Sequence, residues 1–202
     1  YWEYFHRVLG RVIGLFFLIP LIFFFFTNKI NRNYLNLCFL ILFLIVIQGI
    51  VGWYMVKSGL VNDVTVSHYR LSLHLIIALI IISMNFWLIL NFKNKNLKKF
   101  FNLSSSNVPF LFLFFLIFLQ IIFGAFVSGL DAGKLYQTWP LMGYTYFPND
   151  LNYEKLVDLL NFNNHSLVQF YHRNLAYILT VYILILSFKI YTKKEFHLYN
   201  PL

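Results

Sequence analysis

Three histidines stand where apolar runs begin: His6 in YWEYFHRVLGR, His74 in YRLSLHL and His172 in QFYHRN. Imidazole is a common ligand of haem iron, and ligands on facing helices are how helical bundles hold cofactors. Each histidine has arginine beside it. Arg7 follows His6 with Arg11 a turn beyond, Arg70 precedes His74 by four positions and so shares its helix face, and Arg173 follows His172. The guanidinium fork suits carboxylates, which makes Arg7, Arg70 and Arg173 candidate contacts for haem propionates. The alternative is that these arginines snorkel to lipid headgroups and mark only the membrane edge. A single histidine at such a place is equally an interfacial residue, and His68, His165 and His197, in or beside loops, read that way. Three at matching depth point instead to axial ligation of haem iron.

Such ligands need rigid elements, and the composition says which. Of 202 residues, 60% are hydrophobic and 11% charged, with 25 Phe and a mean hydropathy of +0.69, well outside the mixture of soluble domains. Apolar runs at about 8–26, 35–56, 71–90, 108–127 and 170–188 each approach the roughly 17 to 25 residues that cross a ~30 Å hydrocarbon layer. They are continuous rather than alternating, so helices and not barrel strands are expected. The fold class is all-α, a polytopic transmembrane helical bundle.

Charge sets the orientation. Lys29, Arg32, Lys93, Lys95, Lys98, Lys99, Lys189, Lys193 and Lys194 lie in the connections after the first, third and fifth spans, against one acid, Glu195. Those connections should face the cytoplasm. The opposite face receives the N-terminus and the segments near 57–70 and 128–168, and with them the mouths bearing His6, His74 and His172. The net charge of +9 is then largely a feature of the inner leaflet, and no nucleic-acid partner is expected. The chain starts without Met at a helix mouth, as expected of a piece of a longer or processed protein.

An internal repeat runs through the spans. Gln48 and Gly52 of LIVIQGIVGWYMVKSGL match Gln120 and Gly124 of LIFLQIIFGAFVSGL, and each stretch closes on Ser-Gly-Leu. The first histidine-bearing span likewise resembles the one near the end, at an offset of 166, which would place a copy of His74 near position 240. Small residues at four-residue spacing permit close helix approach, and a glutamine in a span must face a partner rather than lipid. The segment LDAGKLYQTWPLMGYTYFP is rich in turns and aromatics. It reads as an interfacial aromatic belt or as a lid over a porphyrin edge. NYEKLVDLLNF, 152–162, has the spacing of an amphipathic helix lying on the surface.

The stretches EYFHRVLGRVIGLFFLIP, QGIVGWYMVKSGL, YRLSLHL, GAFVSGLDAGKLYQTWPLM and QFYHRNLAY resemble the haem A synthase family, the bacterial CtaA and mitochondrial Cox15 proteins, from one end of the chain to the other. The resemblance implies eight transmembrane helices in two similar four-helix halves, of which this chain matches the second to sixth. It implies that 1–90 belongs to the N-terminal half with the substrate haem O site, that 91–107 is a cytoplasmic basic linker, and that 108–202 belongs to the C-terminal half with an incomplete haem B site. On matched positions, His6 and His74 are the haem O ligands, His172 is a ligand of the cofactor haem B, and Glu3 is the family's acid before the first histidine, with a catalytic part in the oxidation. The alternative for Glu3 is a negative charge at a helix N-terminus. The lone Cys38 lies inside a span and cannot form an intramolecular disulfide.

The implied reaction converts a porphyrin methyl to formyl, so a redox centre must take the electrons. The expected partners are membrane lipid, haem O, the haem O synthase that would supply it, an unidentified electron acceptor and a second copy of the chain. The expected location is the bacterial inner membrane, or the mitochondrial inner membrane in a eukaryote. Two other classes stay open: a di-haem b-type cytochrome oxidising quinol, which usually carries two histidines on each ligand helix, and a repeat-built transporter, which gives no reason for the helix-mouth histidines.

Overall fold

The computed structural model describes residues 1–59, 66–93, 104, 107–151 and 157–192. Among them are five long helices and no strand: α1 Trp2–Thr27, α2 Arg32–Gly59, α3 His68–Lys93, α4 Val108–Gly129 and α5 His165–Thr192. All five are long and apolar enough to cross a membrane, and the chain is a multi-pass membrane protein.

The helices run beyond the apolar stretches that announce them. α1 starts six residues before its run, α3 three and α5 five, because a backbone leaving the hydrocarbon keeps its internal hydrogen bonds through the headgroup layer. Each helix-mouth histidine therefore sits inside the first turns of a formed helix. Termination follows the local residues. α1 ends on Asn28 in the left-handed region, φ 52°, and α4 is opened by Pro109 in its first turn and closed where the Leu130 amide bonds the Phe126 carbonyl.

The chain divides into two compact units, Tyr1–Phe100 and Phe101–Leu202. In the first, α2 packs against both α1 and α3. Gly14 and Ile45 meet across α1 and α2, Phe25 and Phe39 stack edge to face, and the Tyr34 hydroxyl donates to the Asn91 carbonyl of α3 at 3.1 Å. Large side chains such as Phe16, Phe43 and Ile82 face outward, as lipid contact requires. In the second unit α4 packs on α5 through Phe112 against Tyr182 and Phe123 against Tyr171, with the Tyr182 hydroxyl on the Pro109 carbonyl at 2.9 Å.

The segment between α4 and α5 folds back onto α5. The helix expected over 152–162 is, in its described part, a single 3₁₀ turn at Asp158–Leu160; residues 152–156 lie outside the described set. The Asn161 side chain takes the Asn163 amide, and Phe162 turns in against Phe123 and Phe126, which ends the turn early. His68 opens α3 beside the preceding connection and is buried, its ring against that of Tyr69. Lys95, Lys98, Lys99, Lys193, Lys194, Glu195 and His197 fall outside the described residues.

Candidate functional site

In the first unit α1 and α3 bring the rings of His6 and His74 together, with centroids 6.4 Å apart and planes inclined by 38°. The helix between them explains where the second ring stands. A Cβ on Gly52 of α2 would lie 2.9 Å from Cε1 of His74, closer than side chains approach, so glycine leaves the space that the ring occupies. One turn earlier the Gln48 amide donates to the His74 carbonyl at 3.0 Å and ties α2 to α3 at the level of the ring. The buried Nδ1 of His74 and Oε1 of Gln48 have no hydrogen-bond partner among the described residues.

This geometry suits an iron between two imidazoles. Two metal–nitrogen bonds of about 2 Å, with the distance from each nitrogen to its ring centre, put facing centroids roughly 6 Å apart. Among the described residues no group of three or more His, Cys, Asp or Glu side chains converges as a bare metal ion would need. A pair of axial ligands is what iron requires when a porphyrin fills its other four positions.

The neighbouring charges are used locally. Glu3 forms an ion pair with Arg7 one turn on, both largely exposed. Arg70 lies over the Tyr54 ring of α2 at 4.6 Å and reaches its hydroxyl at 3.5 Å.

The second unit repeats part of this arrangement. A Cβ on Gly124 of α4 would lie 3.2 Å from Cε1 of His172 on α5. Gln120, one turn before, reaches the ring itself, its amide nitrogen 3.0 Å from Nδ1 and 3.4 Å from Nε2. Among the described residues no second histidine ring meets His172. Arg173 donates to the carbonyls of Thr138 at 2.7 Å and Tyr136 at 2.5 Å. Gln169 accepts from the Tyr136 amide and donates to the Tyr136 carbonyl at 2.9 Å. Ser166 and the Tyr136 hydroxyl both donate to Asp150. Ser166, Gln169 and Arg173 thus bind the α4–α5 segment to a face of α5 adjoining His172.

Outside the membrane, burial works against the Asp150 carboxylate, but hydrogen bonds from Ser166 and Tyr136 outweigh it and hold the group below the ordinary carboxylate range. Burial raises the Tyr136 phenol, with Asp150 adding to the shift.

Several working residues escape a reading of residue types. The two QxxxG strings signal close helix contact, but only the structure puts a histidine ring on each glycine. The offset of 166 also pairs Glu3 with Gln169 and Arg7 with Arg173, a correspondence present in EYFHR and QFYHR.

A model of the COX15-CtaA family, described as cytochrome oxidase assembly protein, matches residues 1–201. Curated relatives named heme A synthase include one from Pelagibacter ubique, 49% identical over 97% of this chain and 57% of its own length. One from Flavobacterium psychrophilum is 42% identical over 94% of this chain and 56% of its own, and one from a Wolbachia of Brugia malayi is 40% identical over 93% and 56%. The chain spans little more than half the length of these relatives. No solved structure gives a significant match. With the family model covering nearly every residue and this identity sustained over almost its whole length, the chain belongs to the COX15-CtaA family of cytochrome oxidase assembly proteins.

Proposed function

We propose that this chain carries the substrate site and part of the cofactor site of a haem A synthase, an oxidoreductase of the inner membrane that converts the C8 methyl of haem O to formyl in making haem A for cytochrome c oxidase. The observation that carries the reading is the His6–His74 pair, two rings from two spans at a separation suited to axial ligation of one iron. The names of the relatives support the reaction, and the basic connections support an extracytoplasmic placement of the pair.

In this reading His6 and His74 would hold haem O as substrate, and His172 would help hold a resident haem B, which would supply one-electron chemistry when bound. Arg7 and Arg70 lie within a turn of His6 and His74 and are the candidates for propionate contact, each drawn from the partner it has in the described chain. Arg173 is committed to loop carbonyls and serves the segment over α5. Conversion of methyl and water to formyl releases four protons and four electrons, so a proton acceptor and an electron acceptor are both required. Glu3, three residues from His6, is the carboxylate placed to take a proton or orient the water. The electron acceptor, the haem O synthase as supplier and a second copy of the chain are the proposed partners.

Protein purified from membranes, its haems extracted and separated by chromatography, tests the proposal. Resident haem B together with conversion of added haem O to haem A is the expected result. Haem without conversion would favour a di-haem cytochrome, and no haem would favour a transporter.

A further inference from the structure

We propose that 135–146, in the segment between α4 and α5, is a membrane-anchoring platform: Trp139, Leu141 and Tyr144 lie among phospholipid headgroups at the mouth of the two helices, and Arg173 holds the backbone that carries them. These side chains then form an interfacial belt and not a lid over a porphyrin edge, whichever cofactor His172 serves.

Depth is set by what the loop is tied to. α4 and α5 are both long and apolar enough to cross the membrane, and the apolar run of α5 begins near Phe170. Gln169 donates to the Tyr136 carbonyl at 2.9 Å, and Arg173 donates to the carbonyls of Tyr136 and Thr138. The rings of Phe147 and Tyr146 meet that of Phe170 edge to face at 4.8 and 5.9 Å. A loop fixed to these residues sits at the boundary of the hydrocarbon and not out in bulk water.

The composition of the loop suits that depth. From Leu135 to Asn149 the sequence contains no Asp, Glu, Lys, Arg or His, while Asp131, Lys134 and Asp150 bracket the stretch. About a quarter of the residues of soluble domains are charged, so a water-exposed run of this length would ordinarily carry several. Its side chains divide by burial. Met142 and Pro148 are enclosed by the protein, whereas Trp139 is 75% exposed, Tyr144 94% and Leu141 40%. Trp and Tyr favour the membrane–water boundary, where an apolar ring and a polar tip each find a suitable neighbour. The platform adds to the apolar surface that α4 and α5 already offer to lipid at Phe115, Ile178 and Leu184.

The hydrogen bonding suits it as well. A loop carbonyl in bulk water is served by solvent, but in a partly dehydrated layer an unserved one is costly. Around the aromatic tip the protein supplies the donors. The Tyr136 carbonyl takes Gln169 and Arg173, that of Thr138 takes Arg173, and that of Leu141 takes the Thr138 hydroxyl at 2.9 Å. The Met142 amide donates to the Thr145 carbonyl at 2.7 Å, and the Gly143 amide to the Thr138 hydroxyl at 2.8 Å. Pairing with backbone carbonyls is also how an arginine is accommodated near hydrocarbon.

Nitroxide labelling tests the placement. In protein purified from membranes with its native cysteines, Cys38 among them, replaced by serine, the label is attached at Tyr144→Cys or, as the aqueous reference, at Lys134→Cys, whose native side chain is 79% exposed. After reconstitution in phosphatidylcholine vesicles, electron paramagnetic resonance power saturation reads collisions with oxygen, which concentrates in lipid, and with a water-soluble nickel chelate. The oxygen-to-nickel ratio at 144 should exceed that at 134. An equal ratio with free nickel access would put the loop in water, and poor access to both reagents would mean that protein or porphyrin covers it; either result overturns the proposal. Arg173→Met, which removes donors from the Tyr136 and Thr138 carbonyls, should lower the ratio at 144 toward that at 134. An unchanged ratio would overturn the part given to Arg173.

Discussion

Three positions before the matched histidines His6 and His172, one unit carries Glu3 and the other Gln169, and the neighbouring arginines follow that difference. In the first unit Arg7 turns back one helical turn to the Glu3 carboxylate, which leaves the pair at the exposed mouth of α1. In the second, an amide at that place offers no charge. Gln169 pairs with the backbone of Tyr136 instead, and Arg173 is released to hold the carbonyls of Tyr136 and Thr138. One unit thus has a charged, accessible mouth beside its histidine pair and the other a mouth strapped by its own loop. Similar sequence has been turned to access in one place and closure in the other, as substrate exchange and cofactor retention would respectively require.

The largest effect should come from exchanging which histidine is lost. His172→Ala is expected to remove the low-spin haem B spectrum while haem O binding persists in part, and His74→Ala to spare haem B and abolish haem A formation. Extracted haems read both outcomes, and loss of haem B in His74→Ala with haem A still made would invert the comparison.

Next is Glu3→Gln, which writes the second unit's residue into the first. It removes a proton acceptor but no ligand and little volume, so both haems should remain while oxidation slows by about 10²-fold or more, the usual yield of a positioned acid or base. Wild-type haem A levels would reduce Glu3 to its ion pair with Arg7.

The glycines should separate more gently. Gly52→Ala meets the His74 ring at 2.9 Å and Gly124→Ala meets His172 at 3.2 Å. Overpacking of about 1 to 3 kcal/mol is expected for the first and less for the second. Haem O titration into Gly52→Ala and haem B content of Gly124→Ala would measure the two, and a larger effect at Gly124 would contradict the spacing.

The smallest effect is one of pH and concerns the strapped mouth alone. Asp150 is held below its ordinary value, so its contribution to the loop is complete above that value, 3.8, and is lost as pH falls through the depressed one. Tyr136 is raised, so its contribution is complete below 10.0 and lost as pH climbs through the raised value. Amide protection in 130–151, taken relative to the intrinsic exchange rate at each pH, should stay flat between those limits, and Asp150→Asn should abolish the acid limb.

The five spans, the all-helical class and the family were legible because continuous apolar runs and motifs such as YQTWPLM are written locally. The pairing of His6 and His74 was legible only as a shared depth. The orientation of a ring depends on which residue of another helix lies under it, and periodicity within one helix carries no such information. Arg173 shows the limit most plainly. Its position beside His172 suggested a propionate contact or a side chain snorkelling to the headgroups, and its donors lie on carbonyls of a loop whose path no spacing rule gives. In the described part of the expected surface helix, 157–162, the chain makes a short turn at Asp158–Leu160, and Phe162 finds ring partners on α4.

The seating of an imidazole on a glycine of the neighbouring helix makes the site sensitive to axial slip. One residue of sliding between α2 and α3 is about 1.5 Å, enough to take His74 off Gly52 and set a side chain beneath it. A helix longer than the local hydrocarbon thickness can tilt, and unequal tilt of α2 and α3 would shift one along the other. Acyl-chain length would then bear on the proposed chemistry, and reconstitution in phospholipids of graded length should give haem A formation an optimum thickness.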